Sequence, residues 1–347
     1  MLDPCGPFFP GLPGCRRDRS NSSPHLPLTL LTRDADELCM AMRVFRRGCL
    51  PLLAAFLLSS VLALGKSGET PHFTYHSTAA EVRLTFFATD EHNHNIESLG
   101  KDDFAVVDDE LIVRDFRSFT RAGVIKLDVV VLVDSSQSIV SRFRQEIAGV
   151  LQLISQTPWV ADDRVSILSF GGMQPTMICA GNCRDSSASD RLFTERAEGV
   201  TPLFDAVVLA ANFLSQRRDP GVRPVLILFS DGDDTISKNS ALDAVEAALA
   251  SDVQIYAVDL NAPKFPSQGT LTLQTMAEST GGRYFPIRQG AVKLMGAVLE
   301  DLHAAYTVTY ELPSHAQGFH SVRILPTHNL NLQFRSRRGY FYQNDFR

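Results

Sequence analysis

Between Val124 and His303 the chain alternates apolar segments with amphipathic ones, and this alternation limits the fold more than any other feature of the sequence. The segments KLDVVVLV, RVSILSF, RPVLILFS, VQIYAVDL and the shorter GRYFPI are too uniformly apolar for a sheet with one wet face. Strands of that kind belong to parallel sheets covered on both sides. Between the first two, Ile139, Phe143, Ile147, Leu151 and Ile154 recur at three- to four-residue steps and predict one apolar helix face. Thr201-Pro202 opens a second helix with Leu203, Val207, Ala210, Ala211 and Leu214 inward. Ser240 caps a third that carries Leu242, Val245 and Leu249. The expectation is a doubly wound α/β domain over residues 124–303, with a mostly parallel sheet.

The flanks have a different period. Val82, Leu84 and Phe86 alternate with Arg83 and Thr85; FAVVDDELIV predicts a hairpin about Asp108-Asp109; and Leu330, Leu332 and Phe334 alternate near the carboxyl end. Both flanks therefore predict antiparallel strands. Each holds about fifty residues or fewer, close to the ~40 below which a chain struggles to bury a core alone. Residues 70–122 and 304–347 are thus expected to pair into one small β-sandwich from which the α/β domain is inserted.

At the amino end, MRVFRRGCLPLLAAFLLSSVLALG has Arg43, Arg46 and Arg47, an apolar run from Leu50, and Ala63 and Gly65 spaced like a cleavage site. Pro51 and Ser59-Ser60 interrupt the run, which is shorter than the ~20 apolar residues of a spanning helix. Residues 40–65 read as a secretory signal, which places the protein in the periplasm, at the cell surface or outside the cell, with no transmembrane helix in the mature chain. Residues 1–39 precede that signal, are rich in Pro and Arg and show no period, so Met40 or Met42 is the expected start. Loss of residues 1–65 takes 7 of the 33 Lys and Arg and 5 of the 39 Asp and Glu, leaving a net charge near −8. An acidic chain is a poor partner for nucleic acid. The same loss leaves only Cys179 and Cys183, in CAGNC. In an exported chain such a pair reads as a disulfide, and zinc would need two further soft ligands that are not nearby.

The first apolar strand ends in DSSQS. In an open parallel sheet, ligands bind beyond the carboxyl ends of the strands where strand order reverses, and Asp134 is expected at such an end. Ser136 and Ser138 follow it, opening a helix whose positive end favours anionic oxygens. A carboxylate and two hydroxyls on one loop are hard donors, suited to Mg²⁺ or Mn²⁺. Helix capping explains serines there equally well. Two further loops supply company: Thr201 opens the next helix, and VLILFSDGDD ends a buried strand at Asp231.

Taken together and in order, Asp134, Ser136 and Ser138, then Thr201 in GVTPLFDA, then Asp231 in FSDGDD resemble the metal-ion-dependent adhesion site of the von Willebrand factor type A domain. The flank EVRLTFFATDEHNHNIESLGKDDFAVVDD and the terminal RRGYF are similar to a family of exported bacterial proteins related to that domain. The resemblance implies that the hydroxyls of Ser136 and Ser138 ligate Mg²⁺ or Mn²⁺ directly, that Thr201 does so directly or through water, and that Asp134 and Asp231 hold coordinated waters. It implies a non-enzymatic adhesion module whose exchangeable coordination position takes an Asp or Glu of a protein partner.

Other readings compete for the same residues. Thr201 can serve as an N-cap before Pro202, Asp205 suits the first turn of that helix, and Asp233 and Asp234 read as solvated loop carboxylates. Asp231-Gly232-Asp233-Asp234-Thr235 also spells the D-x-D-x-T of haloacid dehalogenase-like phosphohydrolases, with Asp231 as nucleophile and Asp233 as general acid. That family also needs a lysine at a strand end and an acidic pair on a later strand. Lys238 and Lys264 are poorly placed for the first, and only Asp259 offers the second. A structural domain with an unused metal site is the third alternative.

Overall fold

The computed structural model describes residues 81–121, 125–156, 162–184, 186–219, 221–261, 266–286 and 291–342. The extension and export signal expected within residues 1–65 lie outside the described residues.

Strand β5 (Lys126–Asp134) is the spine of the α/β region. Its neighbours are β6 (Arg164–Phe170) on one side and β8 (Val222–Ser230) on the other, both parallel to it. Beyond β8 come β9 (Gln254–Asp259) and β10 (Tyr284–Pro286), again parallel, giving the order β10-β9-β8-β5-β6-β7. The edge strand β7 (Thr176–Cys179) is antiparallel to β6, so the sheet is mixed but mostly parallel. The apolar run of β5 is explained by its two faces. Val129, Val131 and Val133 pack with Phe143, Ile147 and Val150 of α1 (Phe143–Gln156) and Val298 and Leu302 of α6 (Ala291–His303). Val130 and Leu132 pack with Leu203, Val207 and Ala211 of α3 (Leu203–Ser215) and with α4 (Ala241–Ala250) and α5 (Gln268–Ser279). A strand apolar at every position needs such a cover on each face, and at about 25 cal/mol per Å² this burial is the main driving force for the domain.

Four expectations need correction. The serines after Asp134 do not open α1: Gln137–Ile139 is a 3₁₀ turn and the α-helix starts only at Phe143. Leu242 does not face the core. It is exposed, while Ala244, Ala247 and Ala248 join Val245 and Leu249 inside, so the buried stripe is centred on the alanines rather than on Leu242. The hairpin turn falls one residue later than predicted, at Asp109-Glu110, whose φ of 43° and 70° give the left-handed pair that two-residue hairpins require. Leu330 is 77% exposed, ahead of the strand that holds Phe334. The strand β7 and the helix α2 (Ser186–Thr194) were not anticipated.

Strands of the two flanks pair directly. β1 (Glu81–Thr89) lies between β11 (Tyr306–Glu311) and β13 (Gln333–Ser336), and β11 also pairs β4 (Ser118–Arg121). β12 (Gly318–Pro326) lies between β2 (Phe104–Asp108) and β14 (Gly339–Tyr342), and β2 pairs β3 (Leu111–Val113). Each four-stranded sheet thus draws on both flanks, and Leu84, Phe86, Phe104, Tyr306, Val308, Tyr310, Ile324 and Tyr340 form one apolar cluster across them.

Arginines of the carboxyl flank reach into the α/β region. Arg335 grips Asp301 of α6 with both oxygens at 2.6 and 2.7 Å, donates to the Gly281 and Gly282 carbonyls, and lies 3.8 Å over the Phe87 ring. Arg337 reaches Asp252 at 2.8 Å and the Arg83 carbonyl at 2.7 Å. Bidentate guanidinium pairs of this sort fix orientation as well as proximity.

Candidate metal centre

Successive strands leave β5 in opposite directions, first to β6 and later to β8, so strand order reverses between β5 and β8. The carboxyl ends of those two strands carry Asp134 and Ser230, and the crevice beyond them is where an open α/β sheet takes its ligand.

Asp134 is fully buried and organises the first loop. Its Oδ1 accepts from the Ser136 backbone N–H at 2.9 Å and the Ser136 hydroxyl at 2.6 Å; its Oδ2 accepts from the Ser230 hydroxyl at 2.6 Å. Ser230 in turn accepts from the Gly232 N–H at 3.0 Å, which ties the β8 loop to the same carboxylate. Because Ser136 spends its proton on Asp134, the hydrogen between the Ser136 and Ser138 hydroxyls, 3.0 Å apart, comes from Ser138, and one lone pair of Ser136 remains for another electrophile. Ser136 is buried, whereas Ser138 is exposed, so the group opens to solvent at Ser138.

The remaining loops are drawn in by backbone hydrogen bonds. Gln137 N–H donates to the Gly199 carbonyl at 3.0 Å and Glu198 N–H to the Ser135 carbonyl at 2.8 Å, joining the first loop to the one that carries Thr201. Thr235 N–H donates to the Thr201 carbonyl at 2.9 Å, and the Thr235 hydroxyl accepts from Thr201 N–H at 2.7 Å, joining that loop to the one that carries Asp231. Asp231 is buried and accepts from Asp233 N–H at 3.2 Å. Two glycines allow this closeness. A Cβ on Gly171 would strike the Ser135 carbonyl, and one on Gly232, at φ 80°, would strike the backbone of Gly269.

Thr201 does not cap α3. The N-cap position is Pro202, and the orphan N–H groups of Phe204 and Asp205 are met by Asp234 Oδ1 at 3.3 Å and Ser237 Oγ at 3.1 Å. Asp234 is therefore no idle loop carboxylate: it caps a helix from another loop and also holds Ser237. Asp205 likewise does more than face its own helix. It accepts from Lys238 N–H, Asn239 N–H and the Asn239 amide, and these bonds hold its carboxyl below the usual range despite the burial that opposes them. Asp259 at the end of β9 is fully engaged by Thr270, Tyr284 and Asn261.

The electrostatics are those of crowded oxygen. Burial pushes the Asp134 carboxyl up to about 6, against the hydrogen bonds from Ser136 and Ser230, and the charge of Asp231 pushes the same way. Glu146 of α1, which the sequence reading missed, is completely buried, and among the described residues neither of its carboxyl oxygens makes a hydrogen bond of full geometry, although the Asp134 backbone N–H is near enough to favour its charged form. Burial raises it well above the ordinary glutamate range, and the charges of Asp134 and Asp231 raise it further. Its sequence signal was its place on the apolar helix face, three residues after Phe143 and four before Val150. Ser230 was missed as well, although it stands beside Asp231 in the quoted motif.

The donor set suits a small hard cation. Adjacent vertices of an octahedron with ~2.0–2.1 Å bonds lie about 2.9 Å apart, and the Ser136 and Ser138 hydroxyl oxygens are 3.0 Å apart. Away from this centre, Cys179 and Cys183 form a disulfide. No helix among the described residues is long and apolar enough to cross a membrane.

A mostly parallel, doubly wound sheet whose D-x-S-x-S loop meets threonine and aspartate loops at the switch point defines a class of α/β domain. Residues 128–294 match the family model of the von Willebrand factor type A domain, and the chain carries a domain of that family. Among curated proteins the chain is similar to the magnesium-chelatase 67 kDa subunit of Chlorobaculum tepidum, with 24% identity over 192 residues, 51% of this chain and 30% of that protein. The chain thus spans under a third of that relative's length. Among solved structures, an aerotolerance-related membrane protein from Bacteroides fragilis is 18% identical with a TM-score of 0.41, covering 51% of this chain and 98% of the other. Proximal thread matrix protein 1 from the mussel byssus, with a zinc-occupied metal-ion-dependent adhesion site, is 14% identical with a TM-score of 0.44, covering 56% and 50%.

Proposed function

We propose that this protein is an exported, metal-dependent binding module that engages an acidic side chain of a protein partner. In this reading Ser136 and Ser138 ligate Mg²⁺ or Mn²⁺ through their hydroxyls, Thr201 does so directly or through water, and Asp134 and Asp231 orient coordinated waters. A bound divalent cation supplies a Lewis-acidic position for a partner's Asp or Glu. The observation that carries the reading is the Ser136–Ser138 oxygen pair at octahedral spacing, with Ser136 held by Asp134. Thr201, relieved of capping by Asp234, is available for the same task.

Export is supported by the signal-like residues 40–65 and by the Cys179–Cys183 bond, since disulfides persist in oxidising compartments. The pairing of strands from both flanks supports a β-sandwich of residues 70–122 and 304–347 with residues 124–303 inserted. The phosphohydrolase alternative built on Asp231 and Asp233 is disfavoured by Asp259, whose hydrogen bonds leave it no metal-facing role, and by Lys238, whose backbone serves Asp205 at the far side of that loop.

The test is a pull-down from native cell envelopes in Mg²⁺ and in chelator, repeated with Ser136→Ala/Ser138→Ala. Capture that needs the metal and fails in the double variant supports the reading. Equal capture by both proteins in chelator sinks it.

A further inference from the structure

We propose a second divalent-cation site in the paired flanks, formed by Asp108, Asp109 and His320 and best suited to Zn²⁺. It shares no residue with the centre at Asp134. One ligand atom from each of the three residues lies within 4.8 Å of the other two.

Each side chain has one polar atom committed to the protein and the other turned to a common point. Asp108, at the end of β2, accepts on Oδ2 from the hydroxyls of Tyr310 and Tyr340, both at 2.8 Å, one from each sheet. Asp109, in the hairpin turn, accepts on Oδ1 from Ser321 N–H at 2.8 Å and the Ser321 hydroxyl at 3.2 Å. His320 of β12 places Nε2 2.7 Å from the Ala316 carbonyl, so Nε2 carries the proton, and its ring stacks on Tyr340 at 5.1 Å. What remains is Asp108 Oδ1, Asp109 Oδ2 and His320 Nδ1. Nδ1 stands 2.8 Å from Asp109 Oδ2 and 3.9 Å from Asp108 Oδ1.

Asp108 and His320 are each 1% exposed, and among the described residues neither Asp108 Oδ1 nor His320 Nδ1 has a hydrogen-bond partner of acceptable geometry. Leaving such atoms unsatisfied in the interior is costly. With Nε2 committed to the Ala316 carbonyl, Nδ1 faces both carboxylates, at 2.8 Å from Asp109 and 3.9 Å from Asp108, and a divalent cation among the three would take the place of a proton there and make three bonds. The phenols of Tyr310 and Tyr340 are raised by burial and by Asp108, which keeps them as donors, while burial raises Asp108 itself and so favours a compensating positive charge.

The chemistry selects the ion. Two carboxylates and an imidazole neutralise a divalent cation, and a nitrogen ligand favours Zn²⁺ over Mg²⁺ or Ca²⁺. A tetrahedron with bonds of about 2.0–2.1 Å has edges of about 3.3 Å, between the 2.8 and 3.9 Å seen here, so side-chain torsions supply the adjustment. The commitment of Nε2–H to a backbone carbonyl and the tyrosines behind Asp108 are the outer partners that metal-ligating side chains need. Asp109 is partly exposed, which gives the ion a path in and a water for its fourth position. Such an ion staples the β2–β3 turn to β12 and, through the tyrosines, to both sheets.

The experiment titrates Co²⁺, whose visible spectrum reports tetrahedral N/O ligation, into the full chain carrying Ser136→Ala/Ser138→Ala, so that the first centre is silent. One equivalent should develop the tetrahedral spectrum, and Zn²⁺ should displace it. Tyr340→Phe should weaken binding about 10- to 100-fold, the usual effect of losing an outer partner. Asp109→Asn, which keeps an Oδ1 acceptor for Ser321, should weaken it further, and His320→Gln should abolish the spectrum. A parent chain with no tetrahedral spectrum overturns the proposal, as does a spectrum of unchanged affinity in Asp109→Asn. Retention of the Asp108–Asp109–His320 signal in its own variants would assign the ion to other histidines.

Discussion

The Asp134 carboxyl offers the sharpest test of the first centre, because a nearby cation favours its ionised form, which its burial opposes. In the metal-free protein burial and the Asp231 charge hold it at about 6 against an ordinary 3.8. A carboxyl raised in the folded state binds more protons folded than unfolded, so stability falls as pH rises from about 3.8 to about 6 and stays low above that. At about 1.4 kcal/mol per pH unit the penalty is about 1.6 kcal/mol at pH 5 and about 3 kcal/mol at pH 7.5. A cation beside Asp134 removes this penalty, which makes the stabilisation by Mg²⁺ larger at pH 7.5 by about 1.4 kcal/mol. At about 2 °C per kcal/mol for a chain of this size, that is about 3 °C more metal-induced rise in Tm at pH 7.5 than at pH 5. Asp231 and Glu146 face the same carboxyl, so the assignment needs Asp134→Asn, which keeps the shape and one acceptor but does not titrate. In that variant the metal-induced rise should be smaller and should lose most of its difference between the two pH values. Thermal melts at saturating Mg²⁺ and in chelator give the four numbers needed. An equal rise at both pH values in the unaltered protein, or an undiminished pH difference in Asp134→Asn, refutes the placement of the ion.

Three further outcomes follow from the structure. Arg335→Ala strips Asp301, which is 2% exposed, of its bidentate partner, and breaking a buried pair from one side costs about 3–5 kcal/mol; chemical denaturation should show this loss, and a change under 1 kcal/mol would show that Asp301 finds another partner. Glu146→Gln removes a buried group that resists ionisation, so the metal-free variant should melt higher than the parent at pH 7.5, with the gain shrinking as pH falls towards the ordinary glutamate range; a lower Tm at pH 7.5 would mean that the carboxylate has a partner worth keeping. Residues 66–122 expressed alone should show neither dispersed amide resonances nor a cooperative melt, since β1, β2 and β4 find their principal neighbours in β11 and β12; a folded fragment would count against the inserted-domain reading.

How much of this was legible from sequence depends on how far each residue looks for its partners. Asp134, Ser136 and Ser138 interact within five residues, so their spacing carried the geometry of the loop directly. The strand β5 was legible because burial on both faces leaves no polar position, and α3 because its apolar stripe meets the sheet along its whole length. Leu242 misled because apolar spacing marks a stripe without saying which of two adjacent stripes faces inward, and the inward one here is alanine. The four-residue strand β7 hides because it lies on the sheet edge with Thr176 and Met177 exposed, so it carries no burial pattern.

The partners of Thr201 were beyond reach for a different reason. A threonine before a proline and a helix is, locally, a cap, and only the arrival of Asp234 and Ser237 from a loop some thirty residues away takes over that role. The same loop takes Thr235 to the Thr201 backbone and places Asp231 just beyond the carboxyl end of β8. The three loops are therefore one hydrogen-bonded unit, and a substitution that disturbs the Asp234 cap will act on the metal centre without touching any proposed ligand. The cluster that resembles a catalytic motif in one dimension is divided in space: the Asp231 carboxyl stays within its own loop, accepting from Asp233 N–H, while Asp234 turns to the amino end of α3.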